Sequence, residues 1–104
     1  MFSFNTRVEE TDECITVFVS GRFNADCTED FLETIDSDQV NRPKKLCIDF
    51  REAESLDSSA IGCLLMVHEK SQKLGREAVL ANTFGLVDAA LKISNLNKLF
   101  TMAQ

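Results

Sequence analysis

Tryptophan and tyrosine are absent from this chain, histidine and proline occur once each, and glycine occurs four times. Each scarcity removes a class of function. The lone His68 has no second imidazole beside it, and a metal centre needs three or four ligands. His68 also lies ten residues beyond Ser58 on one helix-like stretch. That separation is ~15 Å along a helix axis, too far for a serine–histidine pair. No Gly-x-Ser-x-Gly elbow and no glycine-rich phosphate loop is present. No apolar run approaches the ~18 residues that span a bilayer. The segment Met1–Glu10 lacks the basic and apolar regions of a signal peptide. The four cysteines, Cys14, Cys27, Cys47 and Cys63, contain no Cys-x-x-Cys pair. These exclusions predict a cytoplasmic protein that is not an enzyme, with no cofactor and no metal, and no insertion into a membrane.

What is present fits one domain over residues 1–104. A chain of 104 residues, 44% hydrophobic and 27% charged, suits a single core. Cys14, Cys47 and Cys63 lie in apolar runs, so the cysteines read as reduced, small hydrophobes in the core. The eight phenylalanines read as core rather than as a stacking platform. The net charge of −6 is unevenly spread. Residues 1–57 carry 14 acids and 6 bases, the remainder 3 acids and 5 bases. Asp26, Glu29, Asp30, Glu33, Asp36 and Asp38 form a run with no base among them. Such a run is either a solvated helix face or a surface that attracts a basic partner. The acidic balance argues against nucleic acid, which calls for a basic patch.

Strand and helix patterns alternate. Cys14–Val19 is β-branched and aromatic, a strand signal, and Phe2–Val8 is a candidate antiparallel neighbour. Asp26–Asp36 is helical in pattern, with Phe31, Leu32 and Ile35 on one side and Thr28 as a candidate start. Pro43 follows as a breaker. Leu46–Phe50 is a near-continuous apolar strand, suited to a parallel sheet, and the polar Arg51–Glu54 follows it. A helix over 58–74 opens apolar all round and ends polar, with Gly75 as its C-cap. A strand at Ala78–Ala81, a helix near Phe84–Ile93 and a possible last strand near Phe100 complete the order. The order predicts an α/β fold, a mixed sheet of four to five strands with helices packed against it. Gly21 reads as a turn ending its strand.

The stretch Leu56-Asp57-Ser58-Ser59-Ala60-Ile61-Gly62 is the most informative. Asp57 stands where a helix N-cap accepts a free N–H, and Ser58 and Ser59 follow at the helix start. From spacing alone the two serines read as capping residues. The stretch also resembles the Asp-Ser-Ser/Thr-Gly-Leu/Ile-Gly signature of STAS domains, in particular the stand-alone bacterial anti-sigma factor antagonists. Val19-Ser20-Gly21-Arg22-Phe23-Asn24, Leu46-Cys47-Ile48-Asp49-Phe50 and Leu91–Phe100 resemble three further family stretches, in order. The resemblance covers roughly residues 13 to 101. It departs at Asn24, where the family usually has Asp, and at Ala60, where it usually has Gly.

The resemblance implies that Ser58 is a phosphoacceptor, with Ser59 the second choice. It implies a binding module whose unphosphorylated form docks an anti-sigma factor that is also a serine kinase, releasing a sigma factor or equivalent regulator, with a serine phosphatase to reset it. The alternative is a STAS subunit of a cytoplasmic lipid-transport ATPase complex, acting without phosphorylation. In the family-like topology the loops after strands 14–19 and 46–50 are neighbours. The expected partner face is therefore Gly21, Arg22, Phe23, Asn24, Asp26, Glu29 and Asp30 together with Asp57, Ser58, Ser59 and Ala60. Phe23, if exposed, would be its apolar anchor.

Overall fold

Two apolar segments, Cys14–Val19 and Leu46–Phe50, lie in adjacent inner strands of a five-stranded sheet in the computed structural model, which describes residues 4–103. The strands are β1 (Asn5–Glu10), β2 (Cys14–Phe23), β3 (Lys45–Leu56), β4 (Ala78–Ala81) and β5 (Thr101–Ala103), and they lie side by side in chain order. β1 is antiparallel to β2, and the other pairs are parallel. The helices are α1 (Thr28–Asp36), α2 (Ser58–Leu74), α3 (Gly85–Ile93) and the short α4 (Leu96–Leu99). Parallel neighbours joined by right-handed crossovers place successive helices on one face of a sheet. The buried alternate residues Ile15, Val17 and Val19 of β2, with Leu46, Ile48 and Phe50 of β3, share one core cluster with Phe31, Leu64 and Val87 from three helices. The intervening Cys14, Thr16, Phe18 and Cys47 are only half buried, as on a sheet covered on one side.

The expected mixed sheet is there, and so is the last strand, placed at Thr101–Ala103. The antiparallel neighbour of β2 is present as Asn5–Glu10, while Phe2 and Ser3 lie outside the described residues. Several boundaries differ. β2 does not end at Gly21 but continues to Phe23. Gly21 adopts φ +84°, and the pairing with β3 slips between Phe18 and Ser20 and again between Gly21 and Arg22. The glycine thus serves a bulge inside the strand rather than a turn beyond it. β3 runs through the polar Arg51–Glu54 to Leu56, pairing with the end of β2 as far as Phe23 and Leu56. Only Ala53 is buried in that polar stretch. Ala25–Cys27 is a 3₁₀ turn, so α1 starts at Thr28 and not at Asp26.

α2 is not buried all round at its start, because Leu65 and Met66 are exposed. At its polar end Ser71 is buried, and Gly75 closes the helix in the left-handed region at φ +67°. Not every phenylalanine is core, since Phe84 is exposed. The four cysteines are free, Cys27 and Cys63 buried and Cys14 and Cys47 half buried. His68 is at the boundary, its ring edge-on to Phe100 at 5.6 Å.

One buried cation holds the entry to β3. Arg76 donates from its guanidinium to the carbonyls of Val40, Arg42 at 2.7 Å and Lys44 at 3.4 Å. Burial first, and the nearby charge of Arg42 second, lower its pKa. The carbonyls it collects belong to the proline-containing turn; two of them, Val40 and Arg42, also accept the N–H groups of Arg42 and Lys44 at 2.8 Å, so Arg76 ties an already bonded turn to the end of α2.

Candidate functional site

The C-terminal ends of β2 and β3 form one edge of the molecule because the strands are parallel and stay paired to their last residues. The Asp57 N–H donates to the Phe23 carbonyl at 3.2 Å, so the loop after β2 and the start of α2 are joined backbone to backbone. The two loops expected to be neighbours are therefore in contact.

Asp57 is the N-cap of α2. Its backbone is extended, at φ −108° and ψ −174°, and its Oδ1 accepts the Ala60 N–H at 3.0 Å. Its carbonyl accepts the Ile61 N–H at 3.1 Å. Ser58 and Ser59 occupy the first turn, with Ser58 exposed and Ser59 half buried. First-turn N–H groups have no acceptor within their own helix, and the helix dipole adds partial positive charge there. The first turn of α2 contains no acidic residue. The Asp57 charge does reach inward: burial first and Asp57 second push the Cys63 thiol up.

The opposite wall starts at Asn24, whose Oδ1 accepts the Asp26 N–H at 3.0 Å and caps the 3₁₀ turn. The buried Cys27 thiol lies 3.3 Å from the Arg22 carbonyl and 3.4 Å from Asn24 Oδ1, which ties the turn to the strand it leaves. Arg22, Asp26, Glu29 and Asp30 are exposed, and Gly21 and Asn24 are half buried.

Two expected contact residues lie inside. Phe23 is 1% exposed, its ring centred 4.7 Å from Phe31 and 5.0 Å from Phe4. The bulge turns it into the core, so it anchors the loop to the protein and offers nothing to a partner. Ala60 is fully buried and contributes its N–H to the cap, not a surface.

The apolar surface at this end comes from residues not expected to supply it. Phe84 and Leu86, at the start of α3, are 61% and 73% exposed. They follow the C-terminal end of β4, the same end of the sheet as Asn24 and Asp57. Their loop is firmly held. The Asn82 side-chain amide donates to Asp49 Oδ2 at 2.8 Å, and the Thr83 hydroxyl to Asp88 Oδ1 at 2.9 Å. Lys92 approaches Asp88 at 2.8 Å, and these two bonds, Lys92 foremost, lower the Asp88 pKa. The available signal was an aromatic set between turn formers, Asn82-Thr83-Phe84-Gly85.

Comparison with known proteins agrees with this geometry. The STAS domain family pattern matches residues 5–104. A STAS-domain containing protein of Pseudomonas aeruginosa (strain UCBPP-PA14) is 32% identical over 89 residues, covering 86% of this chain and 87% of that one. A candidate anti-sigma factor antagonist of Thermotoga maritima superposes with a TM-score of 0.86 at 15% identity, covering 95% of this chain and 86% of that one. The anti-sigma factor antagonist SpoIIAA in its unphosphorylated form gives 0.77 at 18% identity, over 96% and 89% of the two chains. The phosphorylated form of SpoIIAA, the Bacillus cell fate determinant, gives 0.69 at 18% identity, over 96% and 92%. At such identities the solved structures establish the shared fold. With the pattern spanning the sheet and its helices, this chain belongs to the STAS domain family.

Proposed function

We propose that this protein is a binding module switched by phosphorylation of Ser58, an anti-sigma factor antagonist with no reaction of its own. The observation that carries the reading is an exposed serine at the first position of a capped helix, beside a second loop bonded directly to that cap. In its unphosphorylated form it binds an anti-sigma factor that is also a serine kinase, which frees a sigma factor or equivalent regulator. A serine phosphatase restores the binding form. The partner face is Gly21, Arg22, Asn24, Asp26, Glu29 and Asp30 with Asp57, Ser58 and Ser59, and Phe84 and Leu86 supply the apolar contact that Phe23 does not.

The physical account separates steering from fit. The exposed acids attract a basic partner over long range and set the association rate. Phosphate adds about −1.5 to −2 charge, which the helix N-terminus accommodates without moving the fold. In the complex, however, Ser58 is covered. A dianion there must be stripped of water against a surface shaped for a hydroxyl, and that cost breaks the interface.

The test combines modification with binding. After incubation with the cognate kinase, mass spectrometry is expected to place phosphate on Ser58. Ser58→Ala should bind the kinase as the parent does, and Ser58→Asp should keep the parent circular dichroism spectrum while binding much more weakly. Phosphate solely on Ser59, or an unfolded Ser58→Asp, overturns the mechanism. Reversing charge at Asp26 and Glu29 together should slow association and flatten its salt dependence with stability little changed.

A further inference from the structure

We infer that the free edge of β1 and the groove beside it form a second docking site, which takes an extended basic peptide segment of a partner protein as a sixth strand. The site lies away from Ser58, meets the proposed partner face only at Asp30, and does not rest on the phosphorylation reading.

β1 is the outermost strand among the described residues, so one row of its backbone N–H and C=O groups has no ladder partner. Natural edges are usually blunted by charged side chains, proline, bulges or a covering loop, and of these β1 carries charges at Arg7, Glu9 and Glu10. β1 has neither a proline nor a glycine, and its pairing with β2 runs without a slip from Asn5–Ser20 to Glu10–Ile15. It is a straight template. Between this strand and α1 lies an open groove of about 510 Å³. The strand side of the groove is Phe4, Thr6 and Val8, and the helix side carries Asp30, Glu33 and Thr34. Thr6 and Thr34 meet at its base, Oγ1 to Oγ1, at 3.2 Å.

Charge selects the occupant. Among the described residues no base lines the groove. The described cations near β1 are engaged elsewhere: Arg7 lies over the Phe18 ring at 4.1 Å and pairs with Glu9, while Arg42 and Lys44 pair with Glu10 at the far end. Those two cations also lower the Glu10 pKa, Lys44 more than Arg42. An added strand turns alternate side chains toward α1. Basic ones meet Asp30 and Glu33 there, while the backbone completes the edge. A second copy of this chain fits poorly, because the side of its β1 that carries Thr6 and Val8 offers no base to Asp30 and Glu33.

The probe is an acetylated and amidated (Lys-Thr)₄ octapeptide, titrated into the full, isotope-labelled chain at low salt and followed by amide chemical shifts. Shifts should concentrate on Asn5–Glu10, on the face of α1 from Asp30 to Thr34, and on Ser37 just beyond it. The (Glu-Thr)₄ peptide should not bind. Methylating the backbone nitrogens that face β1, with charge unchanged, should weaken binding more than about tenfold, since several hydrogen bonds are lost. Glu33→Lys, an exposed change, should weaken it roughly fivefold. Ser58→Asp should bind the peptide as the parent does, which keeps failure here distinct from failure of the phosphorylation switch. Equal binding by the methylated peptide, shifts centred away from β1, or self-association through β1 in the absence of peptide overturns the proposal.

Discussion

Replacing Asp57 separates two roles that a single carboxylate combines. Asp57→Ala removes the oxygen that holds the Ala60 N–H at 3.0 Å, and Ala60 is fully buried, so no water replaces it readily. Loss of an N-cap acceptor costs about 1 kcal/mol. Loss of the negative charge at the positive end of the dipole adds about 0.5 kcal/mol. Asp57→Asn keeps an acceptor of the same shape and loses only the second part. The expected order of stability is therefore parent, then Asn, then Ala. For a urea slope of roughly 2 kcal/mol/M, typical of a small domain, the midpoint falls by roughly 0.7 M for Ala and 0.25 M for Asn. Helix α2 survives both changes, because Leu64 and Val67 hold it in the core. Amide exchange at Ser58, Ser59 and Ala60 should quicken in Asp57→Ala and not in Asp57→Asn. The reasoning fails if Asn is as damaging as Ala, which would make charge and not the cap the dominant effect, or if neither change moves the midpoint.

Two further outcomes follow from burial. Phe23→Ala should destabilise the chain by about 3–5 kcal/mol, because the ring is buried between Phe4 and Phe31, and thermal melting reads the loss; an unchanged melting temperature would return Phe23 to the surface. The Cys47 thiol is raised from 9.0 to about 11, first by burial and then by the charge of Asp49, so iodoacetamide should label it slowly at pH 8 in the folded chain and faster as the pH approaches 11. The unfolded chain releases this proton first, so the associated stability is present below about pH 9 and fades as pH rises toward 11, and rapid labelling at pH 8 would contradict the burial.

What was legible in the sequence is what is local. The Asp57 cap needs only its next three residues, and Gly75 needs only the helix it ends. The order of strands and helices also follows from short apolar patterns. The misread features depend on distant partners. Arg51–Glu54 looks like a loop because one side of it faces water, and its strand character comes from pairing with the end of β2. Phe23, after a glycine and before Asn24, looks like an exposed loop aromatic. Its burial requires Phe4, which is distant in sequence and comes beside it only through the antiparallel β1–β2 pairing, and Phe31, on the next helix. Phe84 errs the other way: its composition says core, while its place before Gly85 at the start of α3 leaves it outside.

The two departures from the family pattern bear on how this site tolerates change. Asn24 stands where the family usually has Asp, yet its Oδ1 makes the cap bond to the Asp26 N–H that a carboxylate oxygen would make. The turn keeps its shape and loses one negative charge, which alters attraction and not geometry. Ala60 stands where the family usually has Gly, but the position is ordinary helix and its side chain is fully buried. Helix favours Ala over Gly by roughly 1 kcal/mol, so the change stiffens the start of α2 rather than straining it. Backbone groups add to the side-chain caps of Asn24 and Asp57: the Asp57 N–H on the Phe23 carbonyl, and the parallel pairing that brings Phe23 opposite Leu56. The two caps and the strand pairing together hold Ser58 and the neighbouring loop in register, while the charge lost at Asn24 leaves that geometry unchanged.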